Sequence, residues 1–584
     1  MGNDPHSYTD LSQGRTTDLA LDWTVDFEAR TLRGAAKLTL DAAREGPLDL
    51  DTRDLTIAAV EADDGSPLAF ELGDRDPVMG QRLRIQRERP TATVTIRYET
   101  SPDASALLWL EPSQTDGGKQ PFVLSQCQAI HARSMAPLQD SPQVRAPYTA
   151  RVTIPQALSA VMSAAPGTEE PHAPEGQRTL AFAMPQPIPS YLLALAVGDI
   201  DSRDLGPRTR VYAEPGVVEA AAWEFAEVEQ MLSAAEALFG PYPWERYDFI
   251  VLPPSFPMGG MENPRMTFLT PTLLAGDRSL VSVLAHELAH SWTGNLINNA
   301  TNEDFWLNEG WTVYAERRIL AAIYSPEVAE QQSCLARVAL DETVEERKAA
   351  GQKTALNYRQ NGLDPDEDFS KIPYEKGFLL VTALERAVGR EAFDGFIEKY
   401  LARFRFQSLT TADFAKFVAA ELPEAAQKVD LDTWLYGEGI PADAPTFHSD
   451  RLAELDALAK DWTPAKTPPA DDWSTTETLY FVSQLEPQDA AATEALGEWL
   501  GLRQTGNGEL QCVWLTRASE AGVPGIEPEL RAFIGKVGRT KLLKPVIAAM
   551  AKRKELRPLA AELIEANRPR WHGSTRGALD AAMA

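Results

Sequence analysis

The stretch from residue 280 to 294, LVSVLAHELAHSWTG, contains His286, Glu287 and His290. Side chains four residues apart on a helix lie about one turn apart on one face, so both imidazoles can reach one Zn²⁺. Glu287, next to the first histidine, can then hold a water without ligating. A further carboxylate, Glu309 in FWLNEGWTVYAER, follows with eighteen residues between it and His290, on what reads as the next helix. Two histidines and one carboxylate leave a fourth position open, which separates a catalytic zinc from a closed structural one. The bland alternative is a helix with two partly exposed histidines and a solvated acid. Cys127, Cys334 and Cys512 are odd in number and far apart. That argues against a disulfide framework or a clustered cysteine site, so histidine and carboxylate must hold any metal.

The elements that position these residues follow from pattern. Asp277 or Ser279 is a candidate cap for the helix around His286, and Gly294 a stop. Upstream, residues 18–100 alternate in the β manner, with Leu19, Leu21, Trp23, Val25 and Phe27 in one stripe and Val94, Ile96 and Tyr98 in another. A β-rich N-terminal domain over 1–205 is expected, closing on the apolar run Tyr191–Val197. The period then changes: Val217–Phe239 reads as a helix stopped by Gly240 and Pro241, and Tyr247–Leu252 as a strand stopped by two prolines. This mixed region, 206–440, holds the histidines. Prolines punctuate 441–471, a linker with one short helix, and 472–584 is helical in pattern.

The chain has 584 residues, 56 basic against 85 acidic, for a formal charge of −29. An acidic surface repels phosphate backbones, so nucleic acid is not an expected partner. The 44% hydrophobic composition is that of a globular protein, and the length suggests three or four domains. The opening MGNDPHSYTD has no basic stretch before an apolar run, and no segment reaches the length of a membrane span. A soluble, cytoplasmic protein without a membrane partner is the expectation. Residues 526–584 run against the general charge, with twelve basic and six acidic residues.

Five segments are distinctive, the HELAH run among them: SQCQAIHARSMAPLQDSP at 125–142, PPSFPMGGMENPRMTFLTPTLLAG at 253–276, HELAHSWTGNL at 286–296, FWLNEG at 305–310 and PYEKG at 373–377. On these the chain resembles the gluzincin zinc aminopeptidases, and among them the leukotriene A₄ hydrolase branch, from about residue 10 to the C-terminus. The resemblance implies a multidomain α+β fold: a β-rich N-terminal saddle, a thermolysin-like catalytic domain and a C-terminal α-helical superhelix. It implies one zinc per chain on His286, His290 and Glu309, with Glu287 as general base and the Tyr374 phenol stabilising the oxyanion. Glu262, assisted by Gln128, would bind the substrate's α-ammonium beside Gly259, Gly260 and Met261. Arg539 and Lys541 would take the free carboxylate of a short peptide or fatty acid, folding the tail over the cleft. Asp366 matches an acid tied to the epoxide reaction and to a basic first side chain, though Asp364, Glu367 and Asp368 crowd that assignment. Glu316, two turns beyond Glu309, is a candidate contact to a ligand histidine.

The implied activity is removal of N-terminal residues from short peptides by a monomeric enzyme. Two others stand behind it: hydrolysis of a lipid epoxide, and a peptide-binding scaffold without catalysis. Met258 and Phe369 depart from the pattern of leukotriene A₄ hydrolase, where aromatic and tyrosine side chains stand, which bears on the lipid reaction rather than on peptide hydrolysis.

Overall fold

The computed structural model describes residues 4–583, so the first three residues of the opening decapeptide lie outside it. The alternating N-terminal residues form strands. Thr16–Asp26 pairs antiparallel with Thr31–Thr52 and parallel with Arg145–Pro155 in an eight-stranded sheet. Leu21, Trp23 and Val25 are buried on its inner face, and the Trp23 indole N–H donates to Tyr98 Oη at 2.6 Å. Leu19 and Phe27, at the ends of the stripe, are half-buried. A second sheet orders Leu107–Leu110, Phe122–Ser125, Leu195–Gly198 and Ser159–Met162. Its strand Phe122–Ser125 leads directly into Gln126, Cys127 and Gln128.

A five-stranded mixed sheet follows, in the order Asp201–Asp204, Thr209–Ala213, Tyr247–Val251, Thr267–Leu269, Gly260–Met261. The helix expected over 217–239 is two helices, Val218–Glu224 and Val228–Phe239. The break lets neighbouring Glu224 and Phe225 both turn inward. Glu224 accepts the backbone N–H groups of Gly276 and Arg278 at 2.9 and 2.8 Å, while Phe225 packs edge-on against Phe249.

The helix carrying His286 is shorter than its pattern, Ser282–Ala289, and no side chain caps its start. Asp277 turns instead to the N–H of Ser279, tightening the loop before it. Three elements then converge: this helix, Trp306–Ile323 with Glu309, and Gly377–Val388, which continues from the π-helical turn Ile372–Lys376 holding Tyr374. The second and third meet at two glycines: a Cβ on Gly310 would lie 2.6 Å from Gly377 Cα. Only glycine at both places lets the backbones touch and brings Tyr374 against Glu309.

The 441–471 stretch holds one helix, Asp450–Asp461. From Thr475 to Met583 the described residues form seven α-helices with their own core of Leu515, Leu530, Leu543, Ile547 and Leu563. No described helix is long and apolar enough to cross a membrane.

Gly310→Ala should force the two backbones apart and lower the melting temperature, at a cost of about 1–3 kcal/mol. Gly395→Ala, in a helix where a Cβ meets nothing within 4 Å, should leave it unchanged or raise it. Thermal denaturation of both variants checks the pair; equal shifts would remove the role assigned to the glycine contact.

Candidate active site

His286 and His290 turn their Nε2 atoms toward each other, 3.2 Å apart, and Glu309 Oε2 lies 3.3 Å from the first and 3.6 Å from the second. The other ring nitrogens have partners. His286 Nδ1 is 3.0 Å from Glu316 Oε2, and His290 Nδ1 is 3.1 Å from the Thr293 carbonyl oxygen. A carbonyl or carboxylate at Nδ1 keeps the proton there, so each Nε2 lone pair faces the shared point. Glu316 is oriented in turn by Arg317, whose Nη1 donates to its other oxygen at 2.9 Å. Gly294, at φ +119°, makes the turn after His290; a Cβ there would lie 2.7 Å from His290 Nδ1 and 2.6 Å from Asn308 Oδ1.

This donor set fits a zinc ion. Three ligand atoms of the right kinds lie within 4.8 Å of one another, and Glu309 Oε2 is buried with no hydrogen-bond partner among the described residues. The local charge asks for a cation as well. Glu262, Glu287 and Glu309 are 4%, 6% and 2% exposed. Burial, with the neighbouring carboxylates, pushes Glu262 well above its ordinary value, and burial pushes Glu287 up to about 8.

The glycine pair before Met261 has a specific use. A Cβ on Gly260 would fall 2.3 Å from Glu287 Oε1, and one on Gly259 would fall 2.7 Å from Arg539 Nη2. One glycine thus admits Glu287 and the other admits Arg539. The Glu262 backbone oxygen accepts from Asn295 at 2.6 Å, and Gln128 Nε2 donates to its carboxylate at 3.4 Å. No lysine or arginine pairs with Glu262 among the described residues. Tyr374 stacks on His286, centroids 6.2 Å apart, between Phe305 and Phe369. Burial and the carboxylates of Glu309 and Glu262 hold its phenol well above its ordinary value, so it stays a donor.

Arg539 is a tail cation that the fold encloses. It is 6% exposed, at the start of the helix Thr540–Lys552. The Thr540 N–H donates to Pro257 O at 3.0 Å, and a Cβ on Gly538 would lie 2.3 Å from Pro254 O, so the tail docks on the loop before the glycine pair. Arg539 and Lys541 both donate to Glu509 Oε1 at 3.0 Å. Although burial opposes its charge, Lys541 and Arg539 hold Glu509 down to about 2. Asp366 stands away from this group, with Oδ2 2.8 Å from His131 Nε2. The structure therefore brings together His286, Glu287, His290, Glu309, Glu262, Gln128 and Tyr374, with Gly259, Gly260 and Met261 beside them. Arg539 joins at the edge, Lys541 reaches it through Glu509, and Asp366 through His131. Sequence reasoning missed Glu509, Arg317, Gly377 and His131; His131, inside the distinctive 125–142 segment, and Gly377, the last residue of PYEKG, carried a signal.

Fold and site together define a metallopeptidase. Residues 4–192 match the Peptidase M1 N-terminal domain, 223–434 the Peptidase family M1 domain, and 473–583 the leukotriene A4 hydrolase C-terminal domain. Leukotriene A-4 hydrolase of Xenopus laevis is 36% identical over 98% of both chains. Leucine aminopeptidase 2 of Chaetomium globosum is 35% identical over 97% of this chain and 96% of its own. Among solved structures, yeast LTA4 hydrolase in complex with bestatin superposes with a TM-score of 0.92 at 32% identity, covering 100% of this chain and 97% of that one. The chain belongs to peptidase family M1, in its leukotriene A4 hydrolase-like branch.

Glu316→Gln removes the charge that orients His286 and should weaken zinc binding about 10–100-fold, read by competition with a chelator. Gly260→Ala should displace Glu287 and cut turnover on the order of a hundredfold with zinc content retained, read by metal analysis beside kinetics. Loss of metal in step with activity would show that the glycine serves the ligands instead.

Proposed function

We propose that the protein is a zinc aminopeptidase that removes the first residue of short peptides. The observation that carries this is Glu262, a carboxylate buried at one end of the histidine cluster, with Gln128 donating to it and no cation paired with it among the described residues. A substrate's α-ammonium supplies the missing charge and sets the chain's register, which makes a peptidase an exopeptidase.

His286, His290 and Glu309 are the residues to hold zinc. When bound, zinc supplies Lewis acidity at the scissile carbonyl and lowers the pKa of a water toward neutrality. Glu287 takes the water's proton and passes it to the departing amine. The Tyr374 phenol donates to the oxyanion as charge develops there. Gly259, Gly260 and Met261 line the substrate backbone, the last two in the edge strand of the mixed sheet. Arg539 and Lys541 attract the carboxylate at the far end of a di- or tripeptide, with Glu509 fixing where they stand. Asp366 favours a basic first side chain. The enzyme acts as a cytoplasmic monomer.

A lipid epoxide is the second reading, favoured by the cations at residues 539 and 541, which suit a fatty-acid carboxylate, and by the names of the relatives. Phe369 brings no hydroxyl to the site, and peptide hydrolysis does not need one.

The test is release of a chromogenic amine from aminoacyl substrates, free and N-acetylated, with and without chelator. Wild type should cleave only free amino ends, and only with zinc. Glu287→Gln should lose about 10²–10⁴-fold with metal retained. Equal cleavage of acetylated substrates would overturn the exopeptidase reading, and turnover untouched by Glu287→Gln would overturn the mechanism.

A further inference from the structure

The run DPDED at 364–368 places four acids in one loop, and the structure separates their roles. Asp368 is taken by Arg347 at 2.6 Å and by the Tyr358 hydroxyl. Asp364 Oδ1 accepts the backbone N–H of Asp366 at 2.9 Å, and Glu367 is exposed. Asp366 alone reaches across to the N-terminal region, where its Oδ2 meets His131 Nε2 at 2.8 Å. Its side chain is about a third exposed, at 31%, and Oδ1 has no hydrogen bond among the described residues.

The far side of the same imidazole decides which nitrogen carries the proton. His131 Nδ1 is 2.9 Å from Arg53 Nη1 and 2.9 Å from Ser105 Oγ. A guanidinium only donates, so Nδ1 must accept, and the ring's proton sits on Nε2, where it is donated to Asp366. Arg53 is itself fixed, donating to Ser105 Oγ at 3.0 Å and to the carbonyl of Val78. The tail closes the arrangement: the His572 ring stands edge-on to His131 at 6.4 Å. The chain of bonds also points toward the substrate's amino end. His131 is one turn on from Gln128, its N–H bonded to the Cys127 carbonyl oxygen, and Gln128 is the residue that touches Glu262.

We infer that Arg53 and His131 form a positioning relay that holds Asp366 with one oxygen free, as the carboxylate that recognises a guanidinium or ammonium on the substrate's first side chain. This rests on the aminopeptidase reading and adds the residues that set its specificity. Asp366 sits on a loop between exposed Leu363 and Phe369. Its rotamer is set from outside the loop, by a ring whose own tautomer is set by an arginine.

The test compares the ratio of kcat/KM for arginyl over leucyl amides in wild type, His131→Gln and His131→Phe. In a glutamine, Oε1 and Nε2 share one carbon, as Nδ1 and Nε2 share Cε1, so the amide can accept from Arg53 and donate to Asp366. Phenylalanine fills the space and can do neither. The phenylalanine variant should lose roughly tenfold in the ratio, carried by KM for the arginyl substrate, while the glutamine variant keeps it within about twofold. Equal ratios in all three, or equal losses in both variants, would overturn the relay. Imidazole ¹⁵N spectra of wild type, with the His131 signals identified by their loss in His131→Gln, give a reading independent of the phenylalanine variant: protonated Nε2 and bare Nδ1 are expected, and the opposite tautomer overturns the inference. Failure of wild type to cleave either amide overturns the aminopeptidase reading itself, whereas turnover with an unaltered ratio in the phenylalanine variant overturns only the relay.

Discussion

Three buried carboxylates crowd one space, none of them paired with a lysine or arginine among the described residues, and the rest of the site is arranged around that charge. Glu262, Glu287 and Glu309 are each nearly inaccessible, and burial favours the protonated form of Glu262 and Glu287. On the proposed reading two cations balance the cluster: a divalent ion held by Glu309 and the two histidines, and the amino end of a peptide beside Glu262. On the proposed reading, the same electrostatic demand therefore selects metal and substrate. Gly260 gives Glu287 a seat against the edge strand, and on the proposed reading it stands there as a base and not as a second carboxylate ligand.

That seat shows how space, rather than backbone flexibility, accounts for the important glycines. Gly259, Gly260, Gly310 and Gly377 have no positive φ, yet each faces an atom that a Cβ would strike. Two of them admit functional side chains and two let helices touch. Gly294 is the exception, needing both its φ and its room. Close packing at these points converts helix and strand positions into distances of 3–4 Å between ligand atoms, which loops could not hold as firmly.

The local part of the site was legible in the chain, because HELAH on a helix and a glutamate on the next are matters of period and residue type. The strands of the first hundred residues were legible for the same reason, since alternation survives whatever sheet it enters. The resemblance supplied Tyr374, Glu262 and Arg539, which periodicity alone reads as ordinary. What stayed hidden depended on partners outside any local period, from 30 residues away for Glu509 to 235 for Asp366. Nothing near Glu509 announces that two tail cations will share its oxygen. Nothing near Gly377 announces Gly310. The helix over 217–239 was misread because period alone does not register that Glu224 and Phe225 must both be buried. Asp366 was ambiguous among its neighbours until Arg347 and His131 were seen to divide them.

The tail's contribution is the least local of all and follows from one docking contact. Gly538 lies against the backbone of Pro254 and Ser255, and the next residue, Arg539, is thereby pressed onto Gly259. A guanidinium so enclosed needs a counter-charge, and Glu509, from the neighbouring tail helix Gly508–Ala521, provides it without leaving the tail. The cation thus arrives at the cleft already held, with Glu509 on one side and the glycine loop on the other. Pairing lowers its attraction for an incoming carboxylate but fixes where that attraction acts. On the proposed reading, a short peptide anchored by its amino end at Glu262 meets a positive charge at a set distance. A longer chain must pass the tail itself, so on the proposed reading the docking that assembles the site also limits what enters it.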